Sequence, residues 1–416
     1  MAELRSPPGT HDVLAPESAR WQALVAGFAS IVGRAGYGLV VSPMFEEVGV
    51  FTRLGEGTDV VGKEMYDFRD RGDRHLALRP EGTASVVRAW AQHRPALPFK
   101  AWYAAPNFRY ERAQAGRYRQ HHQVGVEVLG PTDADLDVEV IGLAVSVVAD
   151  LGLCRVELLL NSLGDSVCRP AYTAALASFL GDRLDRLCDE HRLRALGNPL
   201  RVLDCKRRAC REATADVPRS VDHLCDPCRD HFARVRSGLE ALGVPYTIDT
   251  RLVRGLDYYT RTTFELAAGA LESAQNAVGG GGRYDGLAEA LGGPPTPGIG
   301  FGLGIERLLL ACDAEGVFPA PTATVDVFVV DTTGGREALE LTHELRRSDV
   351  SADRAFGDRS MKAQFKAADR SGARLALVVG ERERADATVT VRDLGDGDQE
   401  TVGRSDVVAH VVKRLT

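Results

Sequence analysis

The sequence predicts an α+β protein built on an antiparallel sheet, which a helical insertion interrupts and a smaller α/β domain follows. Between residues 64 and 129 short β-rich runs alternate with turns, which favours strands paired as neighbours over a βαβ pattern. Beyond Val325 apolar runs alternate with segments of helical periodicity, which is typical of a small α/β domain. A chain of 416 residues has room for two or three such domains.

The individual elements follow from spacing. Apolar residues from Trp21 to Val32 recur at helical intervals and predict a helix over 17–33, after which Leu39-Val40-Val41 predicts a strand. Strands are then expected at 64–68, 75–78, 100–110 and 119–129, a helix at 134–151 and a strand at 155–160. After the insertion we expect strands at 246–252 and 262–267, a Gly-rich turn that leads to Gly300–Gly304, and a helix at 305–312. The C-terminal pattern predicts strands at 325–330, 351–356 and 375–379 and helices at 337–347 and 361–371.

Composition changes set the domain boundaries. The stretch from Val167 to Ala241 is charged, leucine-rich and cysteine-bearing, whereas Pro319 and Pro321 with their small neighbours are typical of a linker. We therefore expect a core formed by residues 1–165 and 242–320, a helical insertion over 166–241 and a C-terminal domain over 325–416.

The overall composition excludes several classes of protein. With 44% hydrophobic and 26% charged residues the chain is neither disordered nor a low-complexity scaffold. A net charge of −7 argues against a protein that coats nucleic acid, although local basic patches are compatible with it. The longest apolar run, Val140–Ala149, is too short to span a membrane, and the N-terminus lacks a secretory pattern. We therefore expect a cytoplasmic protein without a membrane anchor.

Four local blocks concentrate charge and glycine. They are Arg79–Thr83, Phe108–Glu127, Arg254–Arg261 and Gly302–Arg307. Two familiar nucleotide signatures are absent from the chain, because Gly62-Lys63 continues with Glu64 and the Gly298–Gly304 stretch lacks the third glycine of a dinucleotide fingerprint. Any nucleotide is therefore bound by a different motif.

Together the four blocks resemble the class II aminoacyl-tRNA synthetases, and specifically the histidyl-tRNA synthetase family, over nearly the whole chain. Phe108–Glu127 resembles the second class II motif in its histidine-specific form, Gly302–Arg307 resembles the third, and Arg254–Arg261 is the most diagnostic peptide. Pro43 is similar to part of the weak first motif, which implies a homodimer. Ala113 departs from the proline that the family favours there, but it touches no proposed ligand.

The resemblance implies ATP-dependent activation of L-histidine and its transfer to tRNA(His), on a class II catalytic core with an anticodon-binding C-terminal domain. It assigns catalysis to Arg109 and Arg254, which would hold the α-phosphate, and ATP binding to Arg109, Glu111, Arg117 and Arg307, with Mg²⁺ on the pyrophosphate. Permanently charged, bidentate guanidinium groups suit that role, since negative charge grows on the phosphate oxygens. The histidine site would comprise Glu81, Gly82, Thr83, Arg109, Gln123, Glu127, Arg254, Tyr258 and Tyr259.

Two other functions remain open at this point. One is a catalytically inactive, histidine-sensing paralogue such as the regulatory subunit of ATP phosphoribosyltransferase, and the other is a histidine-sensing RNA-binding module. Intact Arg109, Arg254 and Arg307, together with a full C-terminal domain, argue against the first.

A basic stripe in the C-terminal domain is a candidate contact for tRNA phosphate. Its members Arg359, Lys362, Lys366 and Arg370 are spaced for one helical face. The alternative is a solvated amphipathic helix with Phe365 directed inward.

Four cysteines in the insertion are candidate zinc ligands. Cys205, Cys210, Cys225 and Cys228 have spacings compatible with a tetrahedral structural Zn²⁺, and His223 or His231 could substitute for one of them. The alternative is four separate buried cysteines, which is also what we expect for Cys154, Cys168, Cys188 and Cys312.

Overall fold

The computed structural model describes residues 3–53, 59–112, 114, 116–253, 258–271, 276–321, 325–357 and 359–416. The chain forms two compact units. The first comprises Arg20–Pro319 with the segment that ends at Val13, and the second comprises Ala320–Thr416 with Leu14–Ala19. Within the described residues no helix combines the length and the apolar character that a membrane span requires.

The first part of the chain supplies one long helix and the first strands of two sheets. Its elements are, in order, α1 (Glu17–Arg34), β1 (Gly38–Leu39), β2 (Phe45–Glu47), α2 (Gly49–Thr52), α3 (Asp59–Gly62), β3 (Tyr66–Arg69), β4 (His75–Leu78), α4 (Thr83–His93), β5 (Phe99–Phe108), β6 (Gln120–Leu129), α5 (Ala134–Asp150) and β7 (Val156–Ser162). In α1 the buried side chains Leu24, Phe28, Ile31 and Val32 follow the predicted helical spacing. Helix α5 begins where Asp133 accepts a hydrogen bond from the backbone N–H of Asp135.

The insertion is helical. It consists of α6 (Arg169–Gly181), a 3-10 turn (Leu184–Arg186), α7 (Asp189–Arg194), α8 (Leu200–Leu203), α9 (Arg208–Ala213), a second 3-10 turn (Ser220–His223) and α10 (Asp226–Ala241). Helix α10 packs on α5, and a Cβ at Gly238 would lie 2.6 Å from Val138, so the two helices approach closely. The short middle helices surround a small core of their own around Leu176 and Leu180.

The chain then returns to the main sheet. The elements are β8 (Thr247–Ile248), β9 (Thr260–Ala268), β10 (Ala277–Arg283), α11 (Leu287–Ala290), β11 (Gly298–Gly304) and α12 (Ile305–Glu315). Part of the stretch expected to be a Gly-rich turn before Gly300 is strand instead, because Gly279–Gly282 lie within β10. The reason is close strand packing: a Cβ at Gly281 would lie 2.0 Å from the carbonyl oxygen of Gly300 on β11.

An eight-stranded sheet in the order β1-β5-β6-β11-β10-β9-β7-β8 forms the centre of the first unit. It is antiparallel from β5 to β7, whereas the outer pairs β1 with β5 and β7 with β8 are parallel. The insertion is the long connection that a parallel β7–β8 pair needs. A separate three-stranded antiparallel sheet, β2-β4-β3, belongs to the same unit.

The second unit is an α/β domain. Its elements are β12 (Val327–Asp331), α13 (Arg336–Arg347), β13 (Ala352–Arg354), α14 (Met361–Ser371), β14 (Leu375–Val379), α15 (Glu381–Ala385), β15 (Thr388–Asp393), β16 (Gln399–Gly403) and α16 (Val407–Leu415). The sheet order is β13-β12-β14-β15-β16, parallel among the first three strands and antiparallel beyond β14. The predicted fold class is confirmed: an α+β core with a helical insertion, followed by an α/β domain.

Candidate active site

A cavity lies against the glycine-rich centre of the main sheet. It is bounded by β10 and β11, by the connection between β5 and β6, and by the first turn of α12. Gly279, Gly302 and Gly304 present backbone without side chains to this space, and a Cβ at Gly302 would lie 3.4 Å from Gln123. The glycines therefore keep open the part of the sheet that faces the cavity.

The walls of this cavity are highly charged. Arg109, Arg117, Arg307, Glu111 and Glu306 all line it. Arg117 Nε lies 2.8 Å from Glu111 Oε2, so one arginine is held by a carboxylate. Burial, and then the positive charge of Arg117, lower the pKa of the Arg307 guanidinium. The ordinary pKa of arginine lies far above neutral pH, so Arg307 is still a cation there. The cavity is therefore suited to an anionic ligand.

Glu306 has a structural partner within the site. Its carboxylate accepts hydrogen bonds from the backbone N–H of His122 at 2.9 and 3.0 Å and lies 2.9 Å from the His122 ring Nδ1. These contacts tie the first turn of α12 to β6. The neighbouring His121 also lines the cavity, and burial followed by the positive charge of Arg109 lowers its pKa to about 3, so its imidazole is neutral at physiological pH.

Arg109 stands just after the end of β5. Its backbone N–H donates to the carbonyl of Arg119 across the hairpin, and its Nε donates to the carbonyl oxygen of Pro80 at 2.9 Å. The guanidinium is therefore oriented by the block that precedes α4 while it lines the cavity. Its positive charge also acts on the buried carboxyl of Glu81.

A second cluster of polar side chains, here called the carboxyl pocket, contains two buried carboxyl groups, Glu81 and Glu127. Glu81 Oε2 accepts from the backbone N–H of Thr83 and Oε1 accepts from that of Ala84, both at 2.8 Å, so the carboxylate is fixed at the first turn of α4. The Tyr258 hydroxyl lies 3.5 Å from Glu81 Oε2. Desolvation by burial is the largest effect on Glu81 and raises its pKa.

Glu127 is completely buried at the far end of β6. The Thr83 hydroxyl donates to its Oε1 at 2.6 Å and the Tyr284 hydroxyl donates to its Oε2, while Tyr103 lies 3.5 Å from Oε1. Burial raises the pKa of Glu127 to about 8, and the hydroxyl donors only partly oppose that effect. Its carboxyl group is therefore largely protonated at neutral pH.

Glycines make room for these carboxyls. A Cβ at Gly300 would lie 1.9 Å from Glu127 Oε2, and a Cβ at Gly82 would lie 2.5 Å from the ring of Tyr103. Tyr259 is also buried here, with its ring 4.7 Å from that of Tyr258. The pocket is therefore enclosed by aromatic rings and by backbone.

Strand β6 connects the two pockets. Gln123 and Glu127 share one face of the strand, because side chains alternate along it. Gln123 lines the arginine-rich cavity and accepts a hydrogen bond from Asn107 Nδ2 at 2.8 Å, whereas Glu127 lies in the carboxyl pocket. The two pockets are thus arranged along a single strand.

Most of the sequence-predicted residues meet at these two pockets. Arg109, Glu111, Arg117, Gln123 and Arg307 line the cavity, and the carboxyl pocket brings together Glu81, Gly82, Thr83, Glu127, Tyr258 and Tyr259. Arg254, like Ala113, lies outside the described residues. Sequence reasoning missed Tyr103, Tyr284 and Asn107, because each sits in an ordinary strand or loop and only its tertiary contact identifies it.

The predicted zinc set is wrong as a single site. Cys205 and Cys210 group with Cys188 and His191, whereas Cys225 and Cys228 group with Asp165 and Cys168. Of the other four cysteines, all expected in the core, Cys168 and Cys312 are buried and Cys188 is partly buried, but Cys154 is exposed, so the expectation is wrong for Cys154. Neither His223 nor His231 belongs to either group.

The predicted basic stripe lies in the second unit. Lys362, Lys366 and Arg370 are exposed on α14, but Arg359 precedes the helix, because Ser360 is its N-cap. The expectation of four cations on one helical face is corrected to three on the helix and one before it. Phe365 is half-buried and packs beside Ala368.

Comparison with known proteins identifies the family. The family model for histidyl-tRNA synthetase matches residues 9–308, and the model for the anticodon binding domain matches residues 324–414. The histidine–tRNA ligase of Rhodococcus erythropolis is 51% identical over 409 residues, which cover 97% of this chain and 96% of that protein. The histidine–tRNA ligase of Mycobacterium marinum is 51% identical over 425 residues and covers 100% of both chains. The crystal structure of apo S. aureus histidyl-tRNA synthetase superimposes with a TM-score of 0.83 at 34% identity and covers 98% of this chain and 99% of that one. The chain therefore belongs to the histidyl-tRNA synthetase family of aminoacyl-tRNA synthetases.

Proposed function

We propose that this protein is a histidine–tRNA ligase, which activates L-histidine with ATP, releases pyrophosphate and transfers the histidyl group to the 3′ end of tRNA(His). The observation that carries the proposal is the arrangement of two different pockets along β6. Gln123 and Glu127 are four residues apart, or roughly 13 Å along a strand. That separation suits a ligand with phosphates in one pocket and an amino acid in the other.

The arginine-rich cavity is the proposed ATP site. In activation the histidine carboxylate attacks the α-phosphorus, pyrophosphate leaves, and negative charge grows on the non-bridging oxygens. Arg109 lines the cavity and also acts on Glu81, so we assign it the α-phosphate, where the two substrates react. Arg307 and Arg117 would take the β- and γ-phosphate end. The assignment of Arg254 to the α-phosphate rests on the resemblance alone.

The carboxyl pocket is the proposed histidine site. Glu81 and Thr83 would hold the α-ammonium group, with Gln123 nearby, and Glu127, Tyr258 and Tyr259 would contact the imidazole. A cationic or hydrogen-bond-donating ligand lowers the energy of the ionised carboxyls, which burial otherwise disfavours. Because both ring nitrogens need partners in a dry pocket, analogues that lack one are rejected.

Magnesium fits the proposed ATP site. This hard cation prefers oxygen ligands and is commonly held by one or two carboxylates together with substrate phosphates. Glu306 is committed to both the backbone N–H and the ring of His122, whereas Glu111 pairs with Arg117 alone, so Glu111 is the cavity carboxylate that would hold the ion while sharing its oxygens with that guanidinium. Bound there, magnesium would neutralise charge on the departing pyrophosphate.

The second unit is the proposed reader of the tRNA anticodon region. Arg359, Lys362, Lys366 and Arg370 are exposed, and none of them pairs with a carboxylate among the described residues. Exposed cations on a helix and just before its first turn can follow a phosphate backbone. The support for RNA binding is therefore electrostatic and local, in a chain whose net charge is negative.

We also infer a homodimer, active in the cytoplasm where its tRNA substrate is found. Apolar side chains around β1 and β2 are exposed in the single chain, among them Leu39, Val41, Met44 and Phe45. Contiguous exposed apolar residues of this kind are typical of an association surface. They flank Pro43 of the first motif.

The experiment that tests the proposal is aminoacylation of tRNA(His) with labelled histidine. We expect charging that requires ATP and magnesium and that fails with a non-cognate tRNA. A histidine-sensing paralogue would bind histidine without forming charged tRNA, and that result would overturn the proposal. The arginine-lined cavity argues against such a paralogue, because a sensor does not need groups that stabilise a reacting phosphate.

A further inference from the structure

Eight potential metal ligands in and beside the insertion fall into two separate groups of four. In each group the ligand atoms lie within 4.8 Å of one another. We call them the inner group (Cys188, His191, Cys205, Cys210) and the outer group (Asp165, Cys168, Cys225, Cys228). Six of the eight cysteines of the chain belong to these two groups, and none of the eight forms a disulfide. Independent burial of single thiols would not bring six of them together in this way.

The two groups are nested along the chain. The ligands occur as four close pairs, and the first pair joins the fourth while the second joins the third. Three of the pairs have two intervening residues and one pair has four: Asp165-x2-Cys168, Cys188-x2-His191, Cys205-x4-Cys210 and Cys225-x2-Cys228. Pairs of ligands with such spacings are typical of structural zinc sites. The sequence shows the pairs, but only the structure shows which two pairs form one site.

The four ligand atoms of the inner group lie close enough together to share one metal ion. Cys188 Sγ lies 3.0 Å from His191 Nδ1, and the backbone N–H of Cys188 donates to Cys210 Sγ at 3.2 Å. Ligands at 2.0–2.3 Å from a tetrahedral zinc ion lie about 3.3–3.8 Å apart. Cys205 and Cys210 are buried, so their thiols face one another inside the insertion rather than solvent.

The outer group is built around the start of α6 and the start of α10. Asp165 Oδ1 lies 3.6 Å from Cys168 Sγ and 3.9 Å from Cys225 Sγ, and the backbone N–H of Asp165 donates to Cys168 Sγ at 3.4 Å. Three thiolates and a carboxylate around a divalent cation carry excess negative charge. Arg261 Nη2, 3.5 Å from Asp165 Oδ2, is placed to offset part of it.

We propose that the insertion binds two zinc ions, one in the inner group through three thiolates and an imidazole, and one in the outer group through three thiolates and a carboxylate. Thiolate-rich tetrahedral sites select zinc over magnesium or calcium. The role is structural: the inner ion joins residues 188–191 to 205–210, and the outer ion joins the two ends of the insertion. Helices α7, α8 and α9 have six, four and six residues, too short to be stable in isolation, so metal cross-links would add to the stability that their small core provides.

Metal analysis of the tag-free, full-length protein, expressed with zinc and purified under reducing conditions, tests the proposal. We expect two equivalents of zinc per chain, and one equivalent in each of Cys210→Ser and Cys228→Ser. The matched control is Cys154→Ser, an exposed cysteine outside both groups, which should retain two. Fewer than two equivalents in the wild type, or two equivalents retained in either Cys210→Ser or Cys228→Ser, would overturn the proposal.

A second measurement requires no variant, so it holds even where a serine substitution prevents folding. Titration of the wild-type protein with an organomercurial reagent, followed by a chromogenic zinc indicator, should release two equivalents of zinc as the thiols react. Cobalt exchanged into the protein should show intense thiolate-to-metal charge-transfer absorption. Free reaction of all eight thiols without zinc release would contradict both sites.

Discussion

The buried carboxyl of Glu127 makes the stability of the first unit depend on pH in a way that one substitution should remove. Burial raises the pKa of this group from 4.5 to about 8 in the folded protein. The folded state therefore holds a proton that the unfolded state has lost, and stability falls as pH rises from about 4.5 to 8. Glu127→Gln imitates the protonated carboxyl and has no charge to desolvate.

The size of the effect follows from the shift. Each pH unit between the two pKa values is worth about 1.4 kcal/mol, so from pH 5 to pH 8 the wild type should lose roughly 3 kcal/mol relative to the variant. Titrating groups that do not interact with Glu127 contribute equally to both proteins and cancel in the difference, whereas the charge of Glu81 acts on Glu127 and does not cancel completely.

Urea unfolding at several pH values measures this difference. The three tryptophans, Trp21, Trp90 and Trp102, all lie in the first unit, so their fluorescence reports on the unit that contains the pocket. Glu289→Gln, at an exposed position, is the matched control and should show no such trend. A difference between wild type and Glu127→Gln that stays constant from pH 5 to pH 8 would refute the reasoning, because it would mean that Glu127 is ionised like a solvated carboxylate.

The other predictions concern the two substrate pockets and the RNA surface. Arg109→Ala should reduce histidine-dependent ATP–pyrophosphate exchange by at least 100-fold, since losing a preorganised donor to a developing anion costs about 3 kcal/mol, whereas Arg112→Ala at an exposed neighbour should leave it near normal. Gly300→Ala should weaken histidine binding measured by calorimetry, because the new methyl group would collide with the buried carboxyl beside it. Replacing both Lys362 and Lys366 with Gln should raise the KM for tRNA and reduce the salt dependence of binding by about two units, with exchange unchanged.

Each of these predictions has a clear contrary result. Equal loss of exchange in Arg109→Ala and Arg112→Ala would mean that exchange depends on the structure of the β5–β6 hairpin and not on the guanidinium of Arg109. Wild-type histidine affinity in Gly300→Ala would mean that Glu127 is not part of the binding pocket. For the lysine pair the control is Lys413→Gln, exposed in the same unit, and an equal effect from that control would remove α14 as a specific contact.

Helices with a strong amphipathic period could be predicted from the sequence, whereas a helix whose first turns are completely buried could not. Helix α13 was expected at 337–347 and spans Arg336–Arg347. Helix α4 was not expected, because the residues of its first turns, Thr83 to Val87, are all buried and show no polar face. Strands β10 and β11 were hard to predict for another reason, because they are rich in glycine, which is rare in strands. The glycines are needed here because the backbone of the neighbouring strands lies very close.

The candidate site shows the same limit. Charged residues in local blocks could be chosen from the sequence because several functional groups cluster within a few positions. Their environment could not be predicted: the complete burial of Glu127 depends on Thr83 and Tyr284, which lie 44 and 157 residues away along the chain. The cysteines illustrate the same point, since spacing alone paired Cys210 with Cys225, whereas the fold assigns them to different groups.

The most direct test of the central claim is ATP–pyrophosphate exchange by the purified wild-type protein with each of the twenty amino acids in turn. The two pockets along β6 predict exchange that depends on histidine and on magnesium, that needs no tRNA, and that falls to background with the other amino acids. Histidine binding without exchange would contradict the claim that the arginine-lined cavity activates an amino acid. Exchange supported equally well by another amino acid would contradict the assignment of the carboxyl pocket to histidine.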